Sequence, residues 1–356
     1  MRVGTAVKPV LFVTGHVPAD RAGAFAALHE RAGIELALYG GPHQHGAPAQ
    51  EPPAALPHRF VHQREIGALI ASGGYRAVVV GTGGRIALPT AWRAARRAGV
   101  PFIFWAALWR TPRSAAHLAA LPLMRRIYRD AAAVVTYGEH VSAYVRRQGA
   151  TRVFVAPQAV DNEFWGAPVP ARERHAFAAL FVGRPAREKG LAVALQAWAQ
   201  AGLKGTFTVV GDHSPLPDEV VGVGSLQPAQ LRNFYGASDV LLVPSIATRR
   251  FIEPWGMVVN EAMNQGTAII ASDAVGAAAG GLVRDGRNGV VVAAGDPAAL
   301  AQALRSLAAD RARCAQLGAT GLSDVRAYTF DAWASAFVEA LKLSVSPAPR
   351  AGSVAQ

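Results

Sequence analysis

Residues 238–273 read SDVLLVPSIATRRFIEPWGMVVNEAMNQGTAIIASD. The apolar run 240–243 closes on Pro244-Ser245 and predicts a short buried strand. The stretch 256–264 predicts a helix, and the apolar run 268–271 a second strand. Strand, helix and strand in that order form a βαβ unit, which requires parallel strands with the helix packed across the sheet. Glu253 falls on the loop before the helix, and Glu261 about a turn and a half inside it. The first turn of a helix leaves backbone N–H groups without internal acceptors, here those of Gly256, Met257 and Val258, and the helix dipole adds partial positive charge. That end suits a phosphate. A carboxylate on either side would repel the anion unless it faced hydroxyl groups, so the pair suits a phosphate carrying sugars on both sides. An acid near the helix start and a solvated helix acid account for the same two residues on spacing alone.

Upstream, Phe181-Val-Gly-Arg-Pro-Ala-Arg-Glu-Lys-Gly190 leads from a strand at 179–182 into a helix at 190–201. Arg184 and Lys189 at this crossing are placed to neutralise a diphosphate, and Gly183 lets the backbone approach a ligand closely. A solvated basic loop is the other reading, and Arg187 is expected to be solvated. Further strands at 207–210 and 289–292, with helices at 227–236 and 297–307, complete one doubly wound unit. The first half repeats the alternation: strands at 10–14, 34–39, 77–80, 101–105, 133–136 and 153–156, with helices at 25–32, 61–71, 89–98, 115–130 and 139–148. Residues 42–58 are rich in Pro and His and predict a loop. The expected architecture is α/β, with two Rossmann-like, doubly wound domains, 1–165 and 166–329, facing one another across a cleft. Ligands bind beyond the carboxyl ends of strands in such sheets. The last helix, 330–345, lies beyond the second sheet and is free to pack back on the first domain.

Composition narrows the function classes. The chain has 356 residues, 51% hydrophobic and 17% charged, which excludes intrinsic disorder. Its longest apolar run, 100–109, ends at Arg110, well short of the roughly 20 residues that cross a bilayer. The apolar stretch 9–13 is too short for a signal-peptide core, so a cytoplasmic location is expected. The single cysteine, Cys314, rules out an internal disulfide and a zinc site built from cysteines. Net charge is +12, with 19 Lys+Arg against 9 Asp+Glu in residues 1–165 and 17 against 15 in the remainder. Arg93, Arg96 and Arg97 share one helix, and Arg125, Arg126 and Arg129 another beside Leu121, Leu123, Met124 and Ile127. These clusters read as a solvated face, as a site for an anionic acceptor, or as a peripheral contact with an anionic membrane at its inner face. No aromatic-basic alternation of a nucleic-acid module is present. Gly81-Thr-Gly-Gly-Arg-Ile86 lacks the third glycine and the later acid of a nicotinamide-binding fingerprint.

Taken together, these residues resemble the donor domain of glycosyltransferase family 4, retaining enzymes of the GT-B fold. The family's E-x7-E element matches at Glu253 and Glu261, and its R-x4-K element at Arg184 and Lys189. Phe207-Thr-Val-Val-Gly-Asp212, the span 221–245 ending in SDVLLVPS, GTAIIASD at 266–273 and LVRDGRNGVVVAAGDP at 282–297 match further blocks in order. The resemblance implies transfer of a sugar, with retention, from a nucleoside-diphosphate sugar to a hydroxyl of a glycolipid, polysaccharide or small metabolite. It implies that Arg184 and Lys189 hold the diphosphate, that Glu261 accepts the ribose hydroxyls and that Glu253 faces the transferred sugar. Gly256 and the amides of Met257 and Val258 then meet the phosphates, with Trp255 beside them and the base near Val223 and Leu226. Gly15 fits the glycine loop after the first strand. The segment VFVAPQAVDNEFW at 153–165 fits the stretch before the interdomain linker, with Gln158 where Asn is commoner. The family's histidine after the strand at 101–105 has no counterpart in Trp105-Ala-Ala-Leu-Trp-Arg110, which leaves His16, Trp109, Arg110 and His117 as acceptor-side candidates. Cations and amides can stabilise the leaving diphosphate as its charge forms, and the sequence contains no Asp-x-Asp pair, so neither metal nor cofactor is expected. The usual route in the family is front-face, with the leaving phosphate oxygen taking the acceptor proton. A sugar-nucleotide epimerase or a phosphorylase would use the same cleft. A non-catalytic binding subunit would be expected to lose Glu253, Arg184 or Lys189, and all three are present.

Overall fold

The computed structural model describes residues 7–41, 43–44, 47–48, 51–84, 86–170 and 176–345. The first half runs β1 (Val10–Thr14), α1 (Ala22–Ala32), β2 (Ile34–Leu38), a minimal hairpin β3 (His43–Gln44) and β4 (Ala47–Pro48), then β5 (His58–Phe60), α2 (Ile66–Ala71) and β6 (Ala77–Gly81). It continues α3 (Ala87–Ala98), β7 (Phe102–Ala106), α4 (Ala115–Asp130), β8 (Ala133–Thr136), α5 (Glu139–Arg147) and β9 (Val153–Val155). After α6 (Asn162–Gly166) come β10 (Phe177–Val182), α7 (Leu191–Ala201), β11 (Gly205–Val210), β12 (Val220–Gly224), α8 (Pro228–Ala237), β13 (Val240–Val243) and α9 (Val258–Met263). The chain closes with β14 (Ala268–Ser272), α10 (Gly276–Ala279), β15 (Gly289–Val292), α11 (Pro297–Ala309), α12 (Arg311–Val325) and α13 (Phe330–Val345).

Two sheets result, ordered β5-β2-β1-β6-β7-β8-β9 and β12-β11-β10-β13-β14-β15. Each is wholly parallel, with registers such as Val10↔Ile34, Val10↔Ala77 and Ala179↔Val240. Strands covered on both faces read as unbroken apolar runs, and Val10, Leu11, Phe12 and Val13 are all inaccessible to solvent. Strand order reverses between β1 and β6 in the first sheet and between β10 and β13 in the second. These switch points open crevices at the carboxyl ends of the strands, where ligands of doubly wound sheets bind.

The final helix belongs to the first core. Trp333 and Phe337 of α13 are buried against Phe12, Phe25 and Trp105, with ring centroids 5.2 Å apart for Phe25–Trp333 and 5.6 Å for Phe12–Phe337. Gly23 permits the approach of α1 and α13, because a Cβ there would overlap the Phe330 ring. Ala156 lies in the first core and Val160 and Trp165 in the second, so the chain crosses ahead of the boundary expected at 165.

Several elements depart from expectation for local reasons. The helix expected from residue 61 begins at Ile66, and 58–60, of which only His58 fell within the expected loop, form an edge strand paired with β2. The helix expected from residue 256 begins at Val258, because Gly256 sits at φ 94°, a left-handed conformation that no right-handed helix contains. α12 was not anticipated, since Gly318 and Gly321 lower its helix propensity. Its packing explains Gly318: a Cβ there would overlap the Gly266 carbonyl.

Candidate active site

The second sheet's switch point carries most of the expected residues. After β10 the Gly183 N–H donates to the Val210 carbonyl at 3.1 Å, and its own carbonyl accepts from His213 Nε2 at 2.8 Å. The chain then makes a single 3-10 turn, Arg187–Lys189, and enters α7 through Gly190. Gly190 sits at φ 74°, and a Cβ there would overlap the Pro244 carbonyl. Only glycine lets the loop after β10 lie on the end of β13, and that contact turns Lys189 toward Glu253. Lys189 Nζ lies 2.6 Å from Glu253 Oε2, with both side chains largely buried. Arg184 Nη2 lies 2.6 Å from Glu188 Oε1. The two cations expected to hold a diphosphate are therefore both in ion pairs, and Lys189 and Glu253, assigned to different parts of a donor, form one unit. Arg187, expected to be solvated, is exposed.

The Glu253 main chain is equally constrained. Its carbonyl accepts from Gly276 N–H at 3.1 Å and from the Trp109 indole Nε1 at 3.2 Å. Trp255, expected beside the donor, is buried: its Nε1 donates to Asn260 Oδ1 at 2.8 Å and its ring packs against His140 and Tyr328. Its place is in the core: its indole N–H is bonded into α9 and its ring is covered by His140 and Tyr328. Asn260 Nδ2 in turn donates to the Gln158 carbonyl at 2.8 Å, linking α9 to the interdomain crossing. Met257, Val258 and Gly256 do lie at the start of α9.

Glu261 points into the second core and is 8% exposed. Tyr235 donates its hydroxyl to Glu261 Oε2 at 2.6 Å. Burial raises the Glu261 pKa to about 7, against the lowering effect of the Tyr235 bond, and the carboxylate of Asp20 in the first half of the chain adds to the rise. Val223 and Leu226 are half-buried at the edge near β12, packed on the core that contains Tyr235. Asp212 holds the following turn by accepting from Ser225 N–H at 3.0 Å and Ser225 Oγ at 2.7 Å.

Opposite, the first sheet's switch point opens a cavity of about 500 Å³ lined by Thr14, His16, Pro18, Asp20, Arg21, Phe25, Gly81, Thr82, Trp105, Tyr137 and, from the second domain, Met257. His16 Nε2 donates to the Gly41 carbonyl at 3.0 Å, while Gly15 accepts from Gly40 N–H at 2.9 Å, so the loop after β1 is tied to the turn after β2. The other acceptor-side candidates do not line this cavity. Trp109 and Arg110 join the domains, the latter through Nη2 to the Thr248 carbonyl at 2.9 Å. His117 is exposed in the first turn of α4, its Nδ1 hydrogen-bonded to the capping Ser114 Oγ at 2.6 Å. Its spacing from Ser114 is that of a helix cap, which places it at a structural position.

Sequence reading missed Asp20, Arg21, Tyr137, Tyr235 and His140. His140 Nε2 donates to the Pro254 carbonyl at 3.1 Å, and burial holds its pKa below the ordinary range. The signal available for Asp20 and Arg21 was their place just after the first strand of a doubly wound sheet. Of the basic clusters, Arg96 pairs with Asp130 at 3.0 Å, and Arg96 and Arg126 stack on Trp92, tying α3 to α4. Arg93, Arg97, Arg125 and Arg129 stay exposed. Among the described residues no three His, Cys, Asp or Glu side chains gather to hold a metal ion, and no helix is long and apolar enough to cross a membrane.

The family model described as "Glycosyl transferases group 1" matches residues 176–310, the whole of the second sheet with α11. A D-inositol 3-phosphate glycosyltransferase of Xylanimonas cellulosilytica is 31% identical over 242 residues, covering 58% of this chain and 56% of that protein. One of Streptomyces avermitilis is 37% identical over 110 residues, covering 30% and 22%. The chain thus spans little more than half of the first relative's length, and less than a quarter of the second's. Among solved structures, Anabaena HepE in complex with UDP and glucose superposes with a TM-score of 0.74 at 17% identity, covering 94% of this chain and 99% of that one. Sucrose-phosphate synthase of Thermosynechococcus elongatus superposes with a TM-score of 0.71 at 20% identity, covering 94% and 98%. The fold is that of the GT-B glycosyltransferases, two parallel α/β sheets of seven and six strands.

Proposed function

We propose that this protein transfers a sugar from a nucleoside-diphosphate sugar to a hydroxyl of an acceptor held in the first domain, with retention of configuration and without a metal. The observation that carries the reading is the Lys189–Glu253 pair at the second sheet's switch point, beside the start of α9 and with Glu261 buried behind it. Lys189 and Arg184 exchange their carboxylate partners for the diphosphate. Glu253, released from Lys189, accepts hydrogen bonds from the transferred sugar, and Glu261, oriented by Tyr235, accepts from the ribose. The bond between the anomeric carbon and the diphosphate oxygen breaks as the acceptor oxygen attacks from the same face, and the acceptor proton ends on the departing phosphate. Lys189, Arg184 and the first-turn amides of α9 stabilise the charge that develops there. The match of residues 176–310 and the glycosyltransferase names of the relatives support the reaction class, and neighbours that hold UDP support the donor class. The exposed Arg93, Arg97, Arg125 and Arg129 extend the proposal to a cytoplasmic protein that touches an anionic membrane surface, to be tested by pelleting with anionic and neutral vesicles.

The test of function is a thermal-shift panel of UDP, GDP, ADP and TDP with and without magnesium, followed by diphosphate release from the sugar nucleotide of the base that binds. A ligand at 100 times its Kd contributes about 2.7 kcal/mol. Release that depends on an acceptor hydroxyl supports transfer; release into water alone, or dependence on inorganic phosphate, would mark a hydrolytic activity or a phosphorylase. No binding of any nucleoside diphosphate would overturn the proposal.

A further inference from the structure

We infer that the cavity at the carboxyl ends of β1 and β6 takes the acceptor by an oxyanion, a phosphate or carboxylate, and that Arg21 is the residue that reads it. The inference rests on the transferase reading above. Among the described residues that line the cavity, Arg21 supplies the one guanidinium or ammonium group. Arg184 and Lys189, across the cleft, are held by carboxylates at 2.6 Å. Arg21 forms no ion pair among the described residues, not even with Asp20 beside it in the chain. Its polar contacts are long, 3.4 Å to the Tyr137 hydroxyl and 3.5 Å to Met257 Sδ. What positions it is stacking: the guanidinium carbon lies 5.4 Å from the centre of the Tyr137 ring and 5.8 Å from that of Trp105. Aromatic faces hold a guanidinium by its plane and leave its N–H edges to bind. Those edges form a fork that fits carboxylate and phosphate oxygens in pairs.

The neighbours narrow the ligand further. Asp20 and Thr82 line the same cavity and accept or exchange hydrogen bonds with hydroxyl groups. Thr82 Oγ1 already donates to the Trp105 carbonyl at 3.0 Å and accepts from Ala107 N–H at 3.0 Å, which fixes its position. A carboxylate beside an unpaired guanidinium suits a ligand that carries hydroxyls at one end and an anion at the other. A cavity of about 500 Å³ lies within the usual range for small-molecule sites, about 300–1,000 Å³. The ligand class is a small polyhydroxylated acid, and Met257 at the cavity wall puts it against the start of α9, where the donor phosphates are proposed to lie.

The donor diphosphate is the other source of an oxyanion for Arg21, and calorimetric titration separates the two. Inorganic phosphate is titrated into protein saturated with the nucleoside diphosphate that binds it, for wild type, Arg21→Gln and Arg21→Lys, with nucleotide affinity measured alongside. The expected result is phosphate binding to the saturated wild type, at least tenfold weaker in Arg21→Gln and only partly restored in Arg21→Lys, with nucleotide affinity changed less than twofold. Nucleotide that excludes phosphate, or Arg21→Gln weakening nucleotide as much as phosphate, would assign Arg21 to the donor and overturn the acceptor subsite. Equal phosphate affinity in wild type and Arg21→Gln, or no phosphate binding, would overturn it outright. If no nucleotide binds the wild type while free protein still takes phosphate through Arg21, the transferase reading has failed and the anion site stands alone.

Discussion

Replacing Tyr235 by Phe removes one oxygen from a fully buried side chain, the oxygen that donates the 2.6 Å hydrogen bond to Glu261. Burial raises the Glu261 pKa to about 7, and this bond works against the rise. A hydrogen bond to a charged group contributes about 1.5–3 kcal/mol and one between neutral groups about 0.5–1.5. The excess, about 1–1.5 kcal/mol, favours the ionised form, and at about 1.4 kcal/mol per pH unit it holds the Glu261 pKa about one pH unit lower than burial alone would. Tyr235→Phe should therefore move the pKa up toward about 8. The sign of the stability effect follows from the folded value lying above the ordinary 4.5. The folded state binds the proton more tightly than the unfolded chain, so the contribution of Glu261 is complete below pH 4.5 and declines as pH rises to about 7. That decline amounts to about 3 kcal/mol in the wild type. In Tyr235→Phe it continues about one pH unit further, so the substitution should cost about 1–1.5 kcal/mol more at pH 8.5 than at pH 5. At roughly 2–4 °C per kcal/mol for a domain of this size, the difference is readable as Tm at the two pH values. Glu261→Gln, with nothing to titrate, should show a flatter pH profile than the wild type. Equal cost of Tyr235→Phe at both pH values, or a Glu261→Gln profile as steep as the wild type, would refute the assignment.

Glu253→Gln should lower turnover by about two orders of magnitude, the scale of a lost transition-state contact, while leaving nucleoside-diphosphate affinity the same or tighter because Lys189 is freed from its pair. Lys189→Ala should weaken that affinity at least tenfold; a loss of equal size in Glu253→Gln, measured by titration, would contradict the separation of roles. Asn260→Ala would leave the Trp255 indole N–H and the Gln158 carbonyl unpartnered at the domain crossing, at a cost of about 2–4 kcal/mol, to be read by denaturant unfolding. Phe337→Ala should cost about 3–5 kcal/mol, and nucleotide should still bind to the folded protein, since α13 packs on the first sheet and the proposed donor residues lie on the second.

The α/β alternation and the pairs Glu253/Glu261 and Arg184/Lys189 were legible in the sequence because local rules write them. A parallel strand buried on both faces must be an apolar run, a βα crossing must carry its loop residues at the strand's carboxyl end, and glycine must stand where the chain turns left-handed, as at Gly190 and Gly256. Which side chains meet is set by strand order instead. Lys189 pairs with Glu253 64 residues away because β10 and β13 are neighbours, and Arg21 reaches Met257 236 residues away because the two switch points face each other. Trp109 and Arg110 lie where an acceptor contact was expected, yet their partners are the Glu253 and Thr248 carbonyls of the other domain. The apolar stripe of α13 marked a buried face without saying against what, and only the packed structure shows Phe12, Phe25 and Trp105 beneath it. Spacing along the chain determines which groups share a loop or a helix face; burial, pairing and the stacking of Arg21 on Tyr137 and Trp105 depend on distances through space, which the fold alone decides.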